Sequence, residues 1–471
     1  MKKTAKAFTV ILGILVAAPS AYAGGKDVYL KHCASCHHPQ RYGISGPPLI
    51  PEYLGRKKEK EIADIIANGL PATNMPAFKG SLSGAEIQEL ASYLLAPAEE
   101  PVWGMDEMMR TRTASDAAPP EKKSRYDLTN FFMIVEGGAG RVHFMDGDSF
   151  TLLDSIKAGA IHGGPKFDKD LKFSYIVSRD GWVTKYDIAG LKEAGKLRAG
   201  ISSRNIAISS DSRYLAIANL LPSNVVLIDT ATMKPVKTIE AEGAFGAVYS
   251  LPEKGEFVVS MKDRPELFVI DDNTFTVRKI TVDQPFTDFF IEPDERHLVG
   301  TSREGGHITV VDIRTGAAVK TIEASSGMPH LASAAVWKED GVFLAAFPTI
   351  GKPLLTVLDL NAWEIKKEVK IKGPGFFART HDNIRTLWVD TGTDTIQLID
   401  KKTLEVVSEV VPEKGKKAMH IEFTKDGGRA LVSVWEDDGA VKIYDTATLK
   451  LVKSLPFKKP VGKYNATNKK F

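Results

Sequence analysis

From Val142 onward one short pattern returns eight times: an apolar residue, three more residues, an Asp, then a turn and another strand-like run. The aspartates are Asp146, Asp187, Asp229, Asp271, Asp312, Asp359, Asp400 and Asp445, spaced 41, 42, 42, 41, 47, 41 and 45 residues apart. Asp suits the head of a turn such as Asp229-Thr-Ala-Thr because its short side chain bonds backbone N–H groups ahead of it. Runs such as Tyr214-Leu-Ala-Ile-Ala218 and Ala430-Leu-Val-Ser-Val434 have the alternation and β-branched content of half-buried strands. A period near forty with four strands per unit predicts propeller blades, and a closed ring of eight removes most free sheet edges. A solenoid is the alternative. The first unit lacks an early partner strand, which Phe131 to Val135 and the tail after Pro456 are expected to supply together.

A different chemistry precedes the repeats. Cys33-Ala-Ser-Cys36-His37 is the attachment signature of haem c. One helical turn presents two thiols for the porphyrin vinyl groups, and the next residue, His37, as an axial ligand. A thioredoxin-like pair or half a zinc site would not require His37. The chain has only two cysteines, so no second pair exists for zinc, and no βαβ pattern surrounds the motif. Gly46-Pro47-Pro48-Leu49 reads as a turn, Ile62, Ile65 and Ile66 as a helix face, and Ser83-x-x-Glu86 as a capping box. Ile87, Leu90, Ala91 and Leu94 follow on one face of a closing helix. Asn74-Met75-Pro76-Ala77-Phe78 resembles the Met-Pro loop of class I cytochromes c, which implies Met75 as sixth iron ligand. The alternatives are a core methionine, with His38 or another side chain on the iron.

Lys2, Lys3 and Lys6, the apolar run Phe8 to Ala18 and Ala21-Tyr22-Ala23 read as an export signal cleaved after Ala23. Its apolar run is too short for a stable span, so a periplasmic protein without a membrane span is expected. Loss of those lysines leaves 59 basic against 59 acidic residues. A nucleic-acid binder normally has a basic excess, and none exists. The expected organisation is a signal over 1–23, a cytochrome c domain over 24–96, a Pro-rich linker over 97–127 and an eight-bladed propeller over 128–471. Trp103 and Met105 are the linker residues suited to docking on a neighbouring surface.

A c-type haem domain followed by an eight-bladed propeller resembles the cytochrome cd1 nitrite reductase family over almost the whole mature chain. The resemblance implies haem d1 above the propeller's central channel. His162 in Ala-Ile-His corresponds to the family's d1 iron ligand, and Arg179 and Arg204 to residues holding d1 carboxylates. Those reductases carry two distal histidines. Pro329-His330 matches one, but Pro285-Phe286-Thr287-Asp288 has no histidine for the other. This departure, with Met419-His420-Ile-Glu, Ser433-Val-Trp-Glu and Gly462-Lys-Tyr-Asn, is more similar to the dihydro-haem d1 dehydrogenase family, which oxidises a propionate of the d1 precursor to an acrylate.

That resemblance implies one covalent haem c and dihydro-haem d1 as substrate. It also implies a periplasmic electron acceptor, with nitrite reductase and other d1 maturation proteins as partners. Removing a carbon-bound hydrogen needs a base, and His suits neutral pH. The candidates are His330 and His420, with His381 third. Arg264, Arg303 and Arg379 join Arg179 and Arg204 as carboxylate-binding candidates near strand ends. His143, His297 and His307 read as structural. The rival functions are nitrite reduction and non-catalytic carriage of d1.

Overall fold

The computed structural model describes residues 21–54, 57–70, 75–99, 101–114, 124–303, 306–324 and 327–469. The expected signal before residue 21, Asn74 of the Met-Pro loop and linker residues Pro119 and Pro120 lie outside them.

Among the described residues five helices come first: α1 (Ala21–His32), α2 (Ala34–His37), α3 (Glu59–Asn68), α4 (Gly84–Leu95) and α5 (Met105–Arg110). The apolar faces of α1, α3 and α4 meet in one core with Tyr29, Ile62, Ile66, Leu90, Ala91 and Leu94. Ser83 caps α4: its Oγ accepts the Glu86 N–H at 3.3 Å, and the Glu86 carboxylate accepts the Ser83 N–H at 2.8 Å. Arg41 is buried and donates to the carbonyls of Tyr93, Leu94, Ala96 and Pro97. A cation on the orphan carbonyls at a helix end satisfies them and complements the helix dipole.

The rest is the eight-bladed propeller. Eight antiparallel sheets follow one another, seven with four strands and one with five. Each repeat Asp closes the hairpin between the third and outer strands of its blade. The Asp229 carboxylate, for example, accepts the Thr232 N–H at 2.8 Å and its hydroxyl at 2.7 Å. Asp271, Asp312 and Asp445 do the same with Thr274, Thr315 and Thr448, and Asp400 accepts the Thr403 N–H.

Ring closure joins the two ends of the repeat region. Pro460–Asn465 forms the inner strand of the first blade, antiparallel to Phe131–Glu136, pairing Phe132 with Asn465 and Met133 with Tyr464. In every blade the inner strand starts at one rim of the ring. The turns between the second and third strands reach the same rim, so two sets of residues face one end.

The helical unit rests against that rim. Ile50, Tyr42 and Tyr53 pack on Ile201 and Leu221, and the Tyr53 hydroxyl accepts the Ser223 N–H at 3.0 Å. The linker docks too. Trp103 lies beneath the Arg198 guanidinium, 5.0 Å from ring centroid to Cζ. The expected partner Met105 stays 38% exposed, however, whereas Met108 is 0% exposed in the core of the second and third blades. The short helix α5 points Met108 rather than Met105 inward.

Candidate functional site

The attachment motif forms a single tight turn. Cys36 and His37 both return N–H bonds to the Cys33 carbonyl, at 3.1 and 2.9 Å. No disulfide joins the two cysteines; Cys33 is half-buried and Cys36 exposed. The buried His37 ring places Nδ1 2.8 Å from the Pro47 carbonyl oxygen. The ring N–H donates there, which leaves the Nε2 lone pair for a metal. Burial holds the His37 pKa below the usual histidine value, favouring the neutral ligand form. A Cβ on Gly46 would sit 2.4 Å from His37 Cε1, so only glycine admits the ring there. This donor set fits haem c.

Met75 lies beyond α3. Its carbonyl accepts the Leu70 N–H at 3.2 Å, and the Phe78 N–H bonds the Ile66 carbonyl at 3.0 Å. His38 has a left-handed backbone, φ 71°, and stacks on Tyr42. Burial and the nearby Arg198 of the propeller lower its pKa.

The second site occupies the propeller rim. His162 follows the outer strand of the first blade, and Ile161 bridges to Ser178. Gly163 and Gly164 follow with φ of 82° and 74°. Added Cβ atoms there would meet Asn205 and Tyr464 at 2.6 Å, so the turn is squeezed between neighbouring blades. Arg179 and Arg204 converge on His162, joined by Lys262. Burial and these three cations depress the His162 pKa strongly. Burial also lowers Lys262, with Arg204, Arg179 and Arg303 adding repulsion, and it brings Arg179 down to about 9. Arg179, Arg204 and Lys262 are half-buried at this rim. Among the described residues no carboxylate forms an ion pair with Arg179, Arg204, Lys262 or Arg303. The buried Nδ1 of His162 and Nε of Arg204 have no hydrogen-bond partner. A cluster of desolvated cations and orphan donors is costly unless an anion completes it. The arrangement fits a ligand with several carboxylates and a metal for His162.

The opposite arc is aromatic. His330 Nδ1 is 2.6 Å from the Phe376 carbonyl oxygen, and Nε2 is 3.5 Å from Asp288 Oδ2. Asp288 holds the Ala332 N–H at 2.6 Å, and burial raises its pKa. The rings of His330 and Phe376 are 4.1 Å apart, Phe377 and His420 4.8 Å, and His420 and Tyr464 5.4 Å. His330 and His420 therefore reach one arc through Phe376 and Phe377. His381 is not brought there. It follows the inner strand of its blade, at the far rim, where Nε2 bonds the Lys425 carbonyl at 3.1 Å. Arg264 turns outward to Glu242, while Arg379 donates to the Ser333 carbonyl at 3.0 Å and lies near Tyr464. His143, His297 and His307 pair with Glu136, Glu292 and Asp283 inside blades.

Sequence reasoning passed over Lys262 and the aromatic pair Phe376-Phe377. Lys262 did carry a signal. Like Arg303 it sits nine residues before its repeat Asp, and Arg179 sits eight before its own.

Comparison with known proteins agrees with this geometry. The family model of the cytochrome D1 heme domain matches residues 126–469, and that of the cbb3-type cytochrome c oxidase subunit III matches 20–94. The chain is 40% identical to dihydro-heme d1 dehydrogenase of Pseudomonas aeruginosa, covering 100% of this chain and 98% of that protein. It is 24% identical to the nitrite reductase of Stutzerimonas stutzeri over 97% of this chain and 96% of that protein. Among solved structures, dihydro-heme d1 dehydrogenase NirN in complex with DHE superposes with a TM-score of 0.80 at 40% identity, covering 95% of this chain and 99% of that one. With a haem-attachment turn on one unit and a cation-lined rim on the other, the chain belongs to the cytochrome d1 haem domain family, in the company of dihydro-haem d1 dehydrogenase.

Proposed function

We propose that the protein oxidises dihydro-haem d1 to haem d1 in the periplasm, as a c-type cytochrome released from a leader after Ala23. The observation that carries this reading is the rim itself: on one arc His162 and cations that have no carboxylate ion pair among the described residues, on the other histidines among aromatics. The units assigned to these roles are residues 24–96 for haem c, 97–127 for the linker and 128–471 for the substrate.

The reaction turns –CH2–CH2–COO⁻ into –CH=CH–COO⁻ and releases two electrons and two protons. Arg179, Arg204 and Lys262 hold substrate carboxylates by charge-assisted bonds, and His162 ligates the substrate's metal. This fixes the ring so that one propionate faces the aromatic arc. His420 takes a carbon-bound proton, and His330, its Nδ1 proton held by the Phe376 carbonyl, offers Nε2 as the second acceptor. The packed rings of Phe376, Phe377 and Tyr464 exclude water from that edge. Cys33 and Cys36 would hold haem c, with the side chains of His37 and Met75 offered to its iron, and the group would supply a one-electron acceptor for passing electrons to a periplasmic partner. Nitrite reductase and the d1 maturation proteins are the expected recipients of the product.

Haem-loaded protein mixed with dihydro-haem d1 should change the visible spectrum to that of haem d1. His420→Ala and His330→Ala should each slow this by about 10²–10⁴-fold. Arg204→Ala should weaken binding about tenfold or more, since a charged hydrogen bond contributes about 1.5–3 kcal/mol. Rapid turnover of nitrite with the dihydro compound unchanged would replace this reading with a reductase. Transfer of unaltered ligand to a second protein would make the chain a carrier.

A further inference from the structure

His420 has an unusual backbone. It lies in the inner strand Ala418–Phe423 of the last blade, and the register slips between Met419 and Ile421. Its φ is 49°, a left-handed value unfavourable for a non-glycine residue. Such a bulge re-aims a side chain, but something must hold it.

Two ionisable groups from other blades do so. The His420 N–H donates to the Asp390 carboxylate. The His420 carbonyl accepts from Lys463 Nζ, which also donates to Ser433 Oγ at 2.7 Å. Asp390 ends the second strand of the seventh blade, and Lys463 lies on the closing strand of the first. Both are 0% exposed. A single carboxylate thus spans two elements, because Asp390 also accepts the N–H groups of Phe376 and Phe377 at 2.7 and 2.9 Å. Phe376 in turn carries His330 on its carbonyl. Enclosing an ionisable group is costly unless it is well partnered, and the partners these two are given are the backbone groups of His420 and of the Phe376-Phe377 turn.

We infer that Asp390 and Lys463 are positioning residues, a clamp that grips both backbone groups of His420 and, through the Phe376-Phe377 turn, sets His330 on the same arc. The inference rests on the dehydrogenase reading and names what aims its two histidines. Asp390 acts on both, Lys463 on His420 alone.

The test uses full-length, haem-loaded protein and dihydro-haem d1. Lys463→Met should lower the rate at saturating substrate about ten- to a hundredfold, because small misplacements of a reacting group are that costly. The dissociation constant from spectral titration should stay within about twofold. In a His420→Ala background the same change should add no more than about twofold, since its target is gone. Asp390→Asn should cost at least as much as Lys463→Met and should keep a further effect in the His420→Ala background, through His330. Ser433→Ala, which removes only the second partner of Lys463, should give a severalfold loss that likewise vanishes in His420→Ala. It serves if a clamp variant fails to fold, as judged by haem content and thermal melting.

Parental rates in Lys463→Met and Asp390→Asn would overturn the clamp. So would a loss confined to binding, or one that multiplies fully with His420→Ala. A parent protein that never converts the dihydro compound would instead remove the dehydrogenase reading, and the clamp with it.

Discussion

Lys262 sits among arginines, and burial keeps its ammonium well below the usual lysine range. Carboxylates brought by a ligand reverse that shift, because an opposite charge favours the ionised form. Ligand binding should therefore take up protons. Affinity should fall as pH rises above the ligand-free Lys262 value and level off below it. Calorimetric titration of dihydro-haem d1 in two buffers of different ionisation heat should register the uptake, and Lys262→Met should reduce it. Single residues were the least legible part of the sequence. Cys33, Cys36 and His37 announce themselves because haem attachment fixes their spacing. His162, Arg179 and Arg204 emerged through resemblance. Asp390 carries no pattern, and Lys463 stood only within the Gly462-Lys-Tyr-Asn segment with no role of its own: one Asp and one Lys in strands look like surface charges until the ring closes over them. His381, the third base candidate, follows the inner strand of its blade at the far rim, and nothing in its local sequence distinguishes one rim from the other.

Elements were more legible, with an instructive gap. The repeat Asp marked every hairpin, because its capping bonds are local. The backbone beyond that Asp was not foreseen. Four residues after each one it turns left-handed, at Phe150, Leu191, Met233, Phe275, Gly316, Trp363, Leu404 and Leu449. Propensity would put Gly or Asn there, yet seven of the eight are large and apolar. Met233 is fully buried, and Phe150, Trp363 and Leu404 nearly so, so packing between blades outweighs the local cost. The helices were read from periodicity, as in the buried face Ile87, Leu90, Ala91 and Leu94 of α4. The linker was harder, because α5 is too short for a pattern to separate Met105 from Met108. Met108→Ala should cost about 2–5 kcal/mol as a buried large-to-small change, read as a lower thermal midpoint. Met105→Ala should stay within about 0.5 kcal/mol.

At the scale of the molecule, the helical unit and the ring meet at the rim that carries the second site. Ile50 and Tyr53 touch Ile201 and Ser223, and Ser203, two residues beyond Ile201, bonds the Arg179 carbonyl. The eight-fold count was legible because the repeat is long and regular. This docking was not, because it depends on surfaces with no period. A chain ending before Pro460 should still receive haem at Cys33 and Cys36, whose helices pack in a core of their own. It should bind no dihydro-haem d1, since Phe131–Glu136 would become a bare edge and Lys463 and Tyr464 would be lost. Mass measurement for the haem and spectral titration for the ligand would separate the two effects.

The closing strand also imposes an order in time. A ribosome makes the haem-attachment turn first and the strand with Lys463 and Tyr464 last. The second to eighth blades have all their strands on a chain that still lacks it, but the first blade and the arc holding His420 are incomplete. A half-made polypeptide therefore has no working pocket in which to trap a reactive tetrapyrrole, and a nick that frees only the final strand would silence the finished protein while leaving its red colour intact.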